Sequence, residues 1–317
     1  MAKARSNALF RVAEFVSLAF STFVYLATIV INTMAALTTL GFKTVTANVS
    51  DQYFLDITPG GWAFSIWGVI YTWQALWHIY GWSFVFRPKA TRSISLVTYW
   101  LFGVANVGNI TWIYLWGNYQ IVAALPFIIA IPLLLILSLS FTAWRTYKAT
   151  SALQKKHRTK ADLWATRILV HNGIAFYATW VSIAWLLNVA MVAHYFGPLS
   201  LTDAGTLSLS LLLLEILVWF FLDIVLLDRF TRYIQSVYIV LFVATTAIVT
   251  EHWNRADEEP RNHQFALALV LLVVVLQIAK IVLTIVFAFV RKIKFPNGKN
   301  ATTEDGETPL SSTKEQA

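Results

Sequence analysis

Cysteine is absent from the 317 residues, which removes disulfides, thiolate metal sites and cysteine nucleophiles from consideration. Compartment is left open, because a helical membrane bundle needs no disulfide. Charge is also scarce. Asp, Glu, Lys and Arg make up 13% of the chain, about half the share of an ordinary soluble domain. There is no G-x-x-x-x-G-K-[ST] phosphate loop, no G-x-S-x-G elbow, no H-E-x-x-H zinc helix and no carboxylate pair at a plausible cleft. An enzyme is therefore not expected. Nor is a metal site: His78 has no second histidine at ligand spacing beside it.

What the chain has instead is apolar and aromatic. Hydrophobic residues make up 58%, mean hydropathy is +0.63, and there are 14 Trp, 12 Tyr and 22 Phe. Apolar runs of the roughly 20 residues needed to cross a bilayer recur near 15–39, 62–86, 94–116, 121–144, 168–193, 206–227, 234–250 and 265–290. The net charge of +8 could suggest nucleic acid, but its distribution argues against that. With the amino terminus inside, twenty Lys and Arg fall in inner segments and three (Lys43, Arg255, Arg261) in outer ones. This is the positive-inside bias, and it requires an even number of spans. The expected fold class is an all-α integral membrane protein of about eight transmembrane helices, with both termini inside and the lipid bilayer as first partner.

Residues 1–14 read as a cytoplasmic amino terminus. The apolar run that follows exceeds the ~7–15 residues of a signal peptide core, so a retained first helix is expected. Residues 291–317, rich in Pro, Gly, Thr, Ser, Glu and Lys, read as a disordered cytoplasmic tail. Among three N-x-[ST] sequons at Asn48, Asn109 and Asn300, Asn48 alone faces outside on this topology, and is the one open to glycosylation.

The most informative stretch is Thr58-Pro-Gly-Gly-Trp-Ala-Phe-Ser-Ile-Trp-Gly-Val-Ile-Tyr71, a proline/glycine entry into an apolar helix that carries tryptophans. Trp67, Tyr71, Gln74, His78 and Trp82 follow at steps of four, three, four and four, so they line one side of a helix. Farther on, Tyr177, Trp180, Ala184 and Asn188 share a face in the same way. Planar apolar ligands stack on such rings while a few amides orient their polar edges. The competing reading is structural. Trp and Tyr anchor at membrane interfaces, so Trp62, Trp82, Trp116 and Trp144 near span ends read as belt residues. Trp67, Trp180 and Trp185 fit either role. Asn109 and Asn188 could bond between helices, and His171 with Asn172 could cap or bond locally.

In this setting residues 15–193 resemble the TspO/MBR family, the tryptophan-rich sensory or translocator proteins. The resemblance rests on Pro59 with Trp62, on Trp67-Gly68-Val69-Ile70-Tyr71 for the family's W-x-x-[LI]-Y, on Asn109-Ile-Thr-Trp112 for N-x-x-W, and on Trp180 to Asn188 for its W-x7-N ending. The longer variant, in which T-P-x-G-[WY]-x-F-S-I-W-G opens helix two, looks most similar. Ser65 stands where the compact family usually has proline, and the Trp62–Trp67 spacing is one residue shorter. The resemblance implies a five-helix bundle over 15–193, with three additional helices over 194–290 to which no family role transfers. It further implies a pocket for a tetrapyrrole or sterol-like ligand, a sensing or transport role, and in some members a link to porphyrin breakdown. No cofactor is required, and a tetrapyrrole would be a ligand. The residues expected in the pocket are Trp67, Tyr71, Asn109, Trp112, Trp180 and Asn188. A homodimer is an admissible assembly.

A second group lies in the added helices. Glu215, Asp223 and Lys280 are ionisable residues within spans, which are costly in lipid and normally face partners or water. At ~1.5 Å per residue, Lys280 comes level with Asp223, and Glu215 lies about one and a half turns shallower. Two readings stay open: a structural Lys280–Asp223 ion pair, or an ion or proton relay in a secondary transporter. A lysine in the last helix is also the retinal-binding pattern, but eight spans and a third helix without an acidic residue argue against it.

Overall fold

In the computed structural model, which describes residues 2–38, 41–87, 90, 92–154, 157–253 and 260–291, every regular element is helical among the described residues. The order is α1 (Ala2–Ala36), α2 (Thr46–Gln52), a 3₁₀ turn (Gly61–Ser65), α3 (Ile66–Phe86), α4 (Leu96–Gly117), α5 (Ile121–Gln154) and α6 (His157–Ala165). A π-helical stretch (Thr166–His171) leads into α7 (Asn172–Tyr195). Then come α8 (Leu201–Phe221), a second π stretch (Leu222–Leu226), α9 (Asp228–Thr231), α10 (Ser236–His252) and α11 (Pro260–Val290).

Helices occupy all eight expected apolar segments. Five are both long and apolar enough to cross a membrane: Ala8–Ala36, Ile121–Thr150, Lys160–Tyr195, Leu201–Leu226 and Pro260–Val290. Helix α10 is apolar but short. At 21 and 22 residues, α3 and α4 are long enough. Their Trp, Tyr, Gln and His residues lower their hydropathy. Helix α1 starts at Ala2, so the stretch expected to precede the first span is itself helical. Its Glu14, 5% exposed, pairs with Arg92 at 3.2 Å. The expected tail lies outside the described residues except for Arg291.

Helix α7 is the axis of the molecule. Of its apolar window 72% is buried, against 22% in α8 and in α11. It packs against α5 on one side, α8 and α10 on another, and α3. Helix α4 joins α1 to α5, and α11 covers α8 and α10. Lipid is as apolar as the helices, so association relies on close packing and interhelical hydrogen bonds. The short α4–α5 turn closes by helix-capping geometry. Tyr119 takes a φ of 62°, its N–H bonds Trp116 O at 2.9 Å, and Gln120 N bonds Leu115 O at 2.9 Å.

The entry to α3 is clamped onto the far end of α10. Gly60 N bonds Ala247 O at 3.0 Å, Trp62 Nε1 bonds Thr250 Oγ1 at 3.3 Å, and His252 Nε2 reaches Thr58 O at 3.0 Å. A Cβ on Gly60 would lie 3.1 Å from Glu251 Oε2, so this close approach favours glycine. Asn48 is exposed on α2, its amide bonded to Thr44 Oγ1 at 3.0 Å, whereas Asn109 is fully buried.

Candidate functional site: an aromatic cluster, an ion pair and a cavity

The stripe on α3 faces inward. Gln74 and His78 are 1% and 2% exposed, and their polar atoms are satisfied by neighbours. Gln74 Nε2 donates to Gly173 O at 2.9 Å and its Oε1 accepts from Trp77 Nε1 at 2.6 Å. His78 bonds Gln74 O at 2.8 Å through Nδ1 and Ser21 Oγ at 3.0 Å through Nε2. Both its nitrogens are engaged within the protein, and no cluster of three or more metal-ligating side chains occurs among the described residues.

Above this polar knot, Trp67 stacks on Tyr71 at 5.6 Å and meets Tyr177 and Trp180 of α7 edge-on at 6.0 and 6.5 Å. Trp67 and Tyr71 are half-buried, while Tyr177 and Trp180 are 1% and 5% exposed. The sharing of one α7 face by Tyr177 and Trp180 brings both against α3. Asn109, Trp112 and Asn188 gather beside them. Trp112 Nε1 donates to Asn188 Oδ1 at 3.4 Å, and Asn32 Nδ2 of α1 donates to Asn109 Oδ1 at 2.8 Å. Asn109 Nδ2 and the Tyr177 hydroxyl are buried and meet each other in a loose contact, with no other hydrogen-bond partner. Such atoms cost about 1–3 kcal/mol each. Sequence reasoning named Tyr177 only as a face-mate, yet it connects the ring cluster to the amides.

Of the four tryptophans expected in an interfacial belt, two are exposed and two turn toward neighbouring helices. Trp62 and Trp144 are 53% and 46% exposed. Trp116 is buried, its N–H on Thr46 O at 3.3 Å, because α2 folds over that end of α4. Trp82 points to α1, where it bonds Thr22 Oγ1 at 3.0 Å. Trp77, not singled out from sequence, is fully buried against Tyr99, Phe102 and His78. Its step of three from Gln74 was the available signal.

The second group divides. Lys280 Nζ lies 2.7 Å from Asp223 Oδ1, both side chains with 0% exposure. Tyr238 donates to Asp223 Oδ2 at 2.9 Å, and Lys280 also reaches Thr231 O at 3.4 Å. The π stretch Leu222–Leu226 carries Asp223 into this position, where α8 gives way to α9. Glu215 is elsewhere. It lines a cavity of about 470 Å³ between α5, α7, α8 and α10, closed at one end by the α9 turn. The Trp185 indole lies beside its carboxyl. The pocket expected inside the first five long helices corresponds to the aromatic cluster of α3 and α7, whereas this cavity opens between that bundle and the added helices.

The sequence pattern of a protein family described as "TSPO-like protein" matches residues 18–290. The match runs past residue 193 through α8, α10 and α11. No curated protein and no solved structure matches the chain.

Proposed function

The chain belongs to the TSPO-like protein family and is a multi-pass integral membrane protein, and from that premise we propose that it binds a planar apolar ligand at the Trp67–Tyr71–Tyr177–Trp180 cluster for sensing or transport. Eight spans with both termini on the inner face complete the reading. They are supported by the helices over all eight apolar segments and by the one-sided distribution of Lys and Arg. Asn48, exposed on the α1–α3 connection, is then the outer glycosylation acceptor.

The observation that carries the ligand site is a pair of buried polar atoms, Asn109 Nδ2 and the Tyr177 hydroxyl, which meet each other loosely and have no other partner, at the edge of an aromatic cluster. A flat ligand entering beside half-buried Trp67 would lie against indole and phenol faces. A carbonyl, carboxylate or hydroxyl on its rim would accept from both donors. Tetrapyrroles and sterol-like lipids combine an apolar plane with such a rim.

Protoporphyrin and a sterol, titrated into the purified protein, are expected to quench its tryptophan emission saturably. Trp67→Leu and Trp180→Leu should each shift the midpoint about three- to tenfold upward, given ring–ring interactions of about 0.5–1.5 kcal/mol. Midpoints unchanged in both variants would sink the assignment. Steady quenching marks a binder, while progressive loss of porphyrin absorbance marks breakdown. Flux of the labelled ligand in proteoliposomes separates carrier from sensor. The carrier reading has its own support in α5, which holds Pro126 and Pro132 inside the helix, and in the two π stretches flanking the ion pair and α7.

A further inference from the structure

The cavity between α5, α7, α8 and α10 is separate from the aromatic cluster and rests on different residues. At about 470 Å³ it falls within the roughly 300–1,000 Å³ of pockets that enclose a drug-sized molecule. The space comes from small side chains: Ala143 on α5 and Ala175, Ala178 and Ser182 on α7 all face it.

The wall is largely apolar. Of its four hydroxyls, those at Ser140, Thr179 and Thr231 donate to backbone carbonyls at 2.8, 2.8 and 3.0 Å, and Ser182 supplies the fourth. Glu215 is the one ionisable side chain among the lining residues, and it forms no ion pair among the described residues. The ammonium that could have served it, Lys280, is engaged by Asp223 at 2.7 Å. A carboxyl inside a membrane span with the Trp185 indole beside it but no cation is costly. That cost is offset when a ligand brings the missing cation, because a charge-assisted hydrogen bond is strong where water is excluded.

We propose that this cavity binds a lipophilic amine, its apolar body lying between Ala143, Ala178 and Trp219 and its ammonium on Glu215. Trp144, Trp219 and Phe230 in the wall add aromatic surface for a flat apolar body, while Lys148 and Arg229 already lie over the Trp144 and Phe230 rings at 3.8 and 4.7 Å. Entry is sideways, from the lipid: Ile136, Trp144 and Val218 line the cavity while remaining 42%, 46% and 47% exposed. A sterol or an acyl chain could fill the volume but would leave Glu215 unmatched.

The test uses the full chain in nanodiscs of zwitterionic phosphatidylcholine, which does not itself collect cations. The probes are a dansyl amide bearing a five-carbon primary amine and its N-acetylated, neutral counterpart, with energy transfer from the indoles as readout. The amine is expected to bind saturably and about tenfold or more tighter than the acetylated probe, equivalent to about 1.4 kcal/mol. Glu215→Gln, which keeps the shape, should remove that difference by weakening the amine alone. Ala178→Phe, which fills the space, should weaken both probes. Equal affinity of the two probes for the unmutated protein would overturn the proposal in favour of a neutral-lipid cavity, and that comparison requires no variant to fold. Unchanged amine affinity in Glu215→Gln would overturn it too.

Discussion

Replacing Lys280 with Met is expected to destabilise the protein by about 3–5 kcal/mol, the usual cost of stranding one partner of a buried ion pair. Asp223 is 0% exposed and so is Lys280, and no water-facing rotamer rescues a carboxylate sealed by α8, α10 and α11. Met fills the volume of the lysine stem, so cavity formation contributes little and the loss reports the charge. The pair is also a joint: Tyr238 of α10 donates to Asp223 at 2.9 Å, and Lys280 of α11 reaches Thr231 O on α9 at 3.4 Å. Lys280→Met with Asp223→Asn should recover more than half of the loss. The amide oxygen still accepts from Tyr238, and its N–H₂ can turn to Thr231 O. Unfolding of each variant in mixed micelles, followed by tryptophan emission, measures both numbers. A single variant as stable as the parent would remove the fastening role. If that variant also showed altered ligand response, the pair would belong to a relay instead.

The parts of this architecture legible in the sequence are those that depend on one-dimensional quantities. Hydropathy and length locate the apolar part of each long helix, as at α4, expected over 94–116 and found at Leu96–Gly117, but not the polar extensions that start α1 at Ala2 and carry α5 to Gln154. Counting depth at ~1.5 Å per residue is enough to bring Lys280 level with Asp223. Facing is harder. Helices α7, α8 and α10 are apolar nearly all round, so no stripe reveals which side meets protein and which meets lipid. The small residues Ala175, Ala178 and Ser182 therefore gave no hint that they would leave a cavity, or that Glu215 would look into it rather than toward Lys280. The π stretches were equally hidden, because Thr166–His171 and Leu222–Leu226 carry no glycine or proline to mark them. In the aromatic cluster the spacing on α3 and α7 predicted shared faces, yet tryptophan's preference for interfaces obscured how many rings turn inward. Trp116 is buried only because α2, too short and polar to notice, folds over it.

Asn172 shows the same limit most sharply, and its replacement by Leu is expected to cost about 3–5 kcal/mol. From sequence its amide reads as a local cap. It does bond locally, donating to Arg167 O at 2.8 Å across the π stretch, but its larger task lies about sixty residues away. Its Oδ1 accepts from the first N–H groups of α10, Gln235 N at 2.9 Å and Ser236 N at 3.1 Å, while Nδ2 donates to Tyr233 O at 2.9 Å. Helix α10 has no side-chain cap of its own, so a residue on α7 supplies the acceptor that orphan N-terminal donors need. Leucine matches the size of Asn but leaves two N–H groups and the Tyr233 carbonyl without partners, whereas Arg167 O keeps the backbone N–H of residue 172. At about 1–3 kcal/mol for each buried unsatisfied group, with partial relief by relaxation, the sum reaches several kcal/mol. Asn172→Asp keeps both accepted bonds and should lose roughly half as much. Amide hydrogen exchange separates this from a general loss of packing: protection should fall at Gln235 and Ser236 before it falls in α7. Unchanged exchange there, with an unchanged unfolding midpoint, would mean that α10 starts without help from α7. The α7 that bears half the aromatic cluster and one wall of the cavity would then not be tied to the added helices at this point.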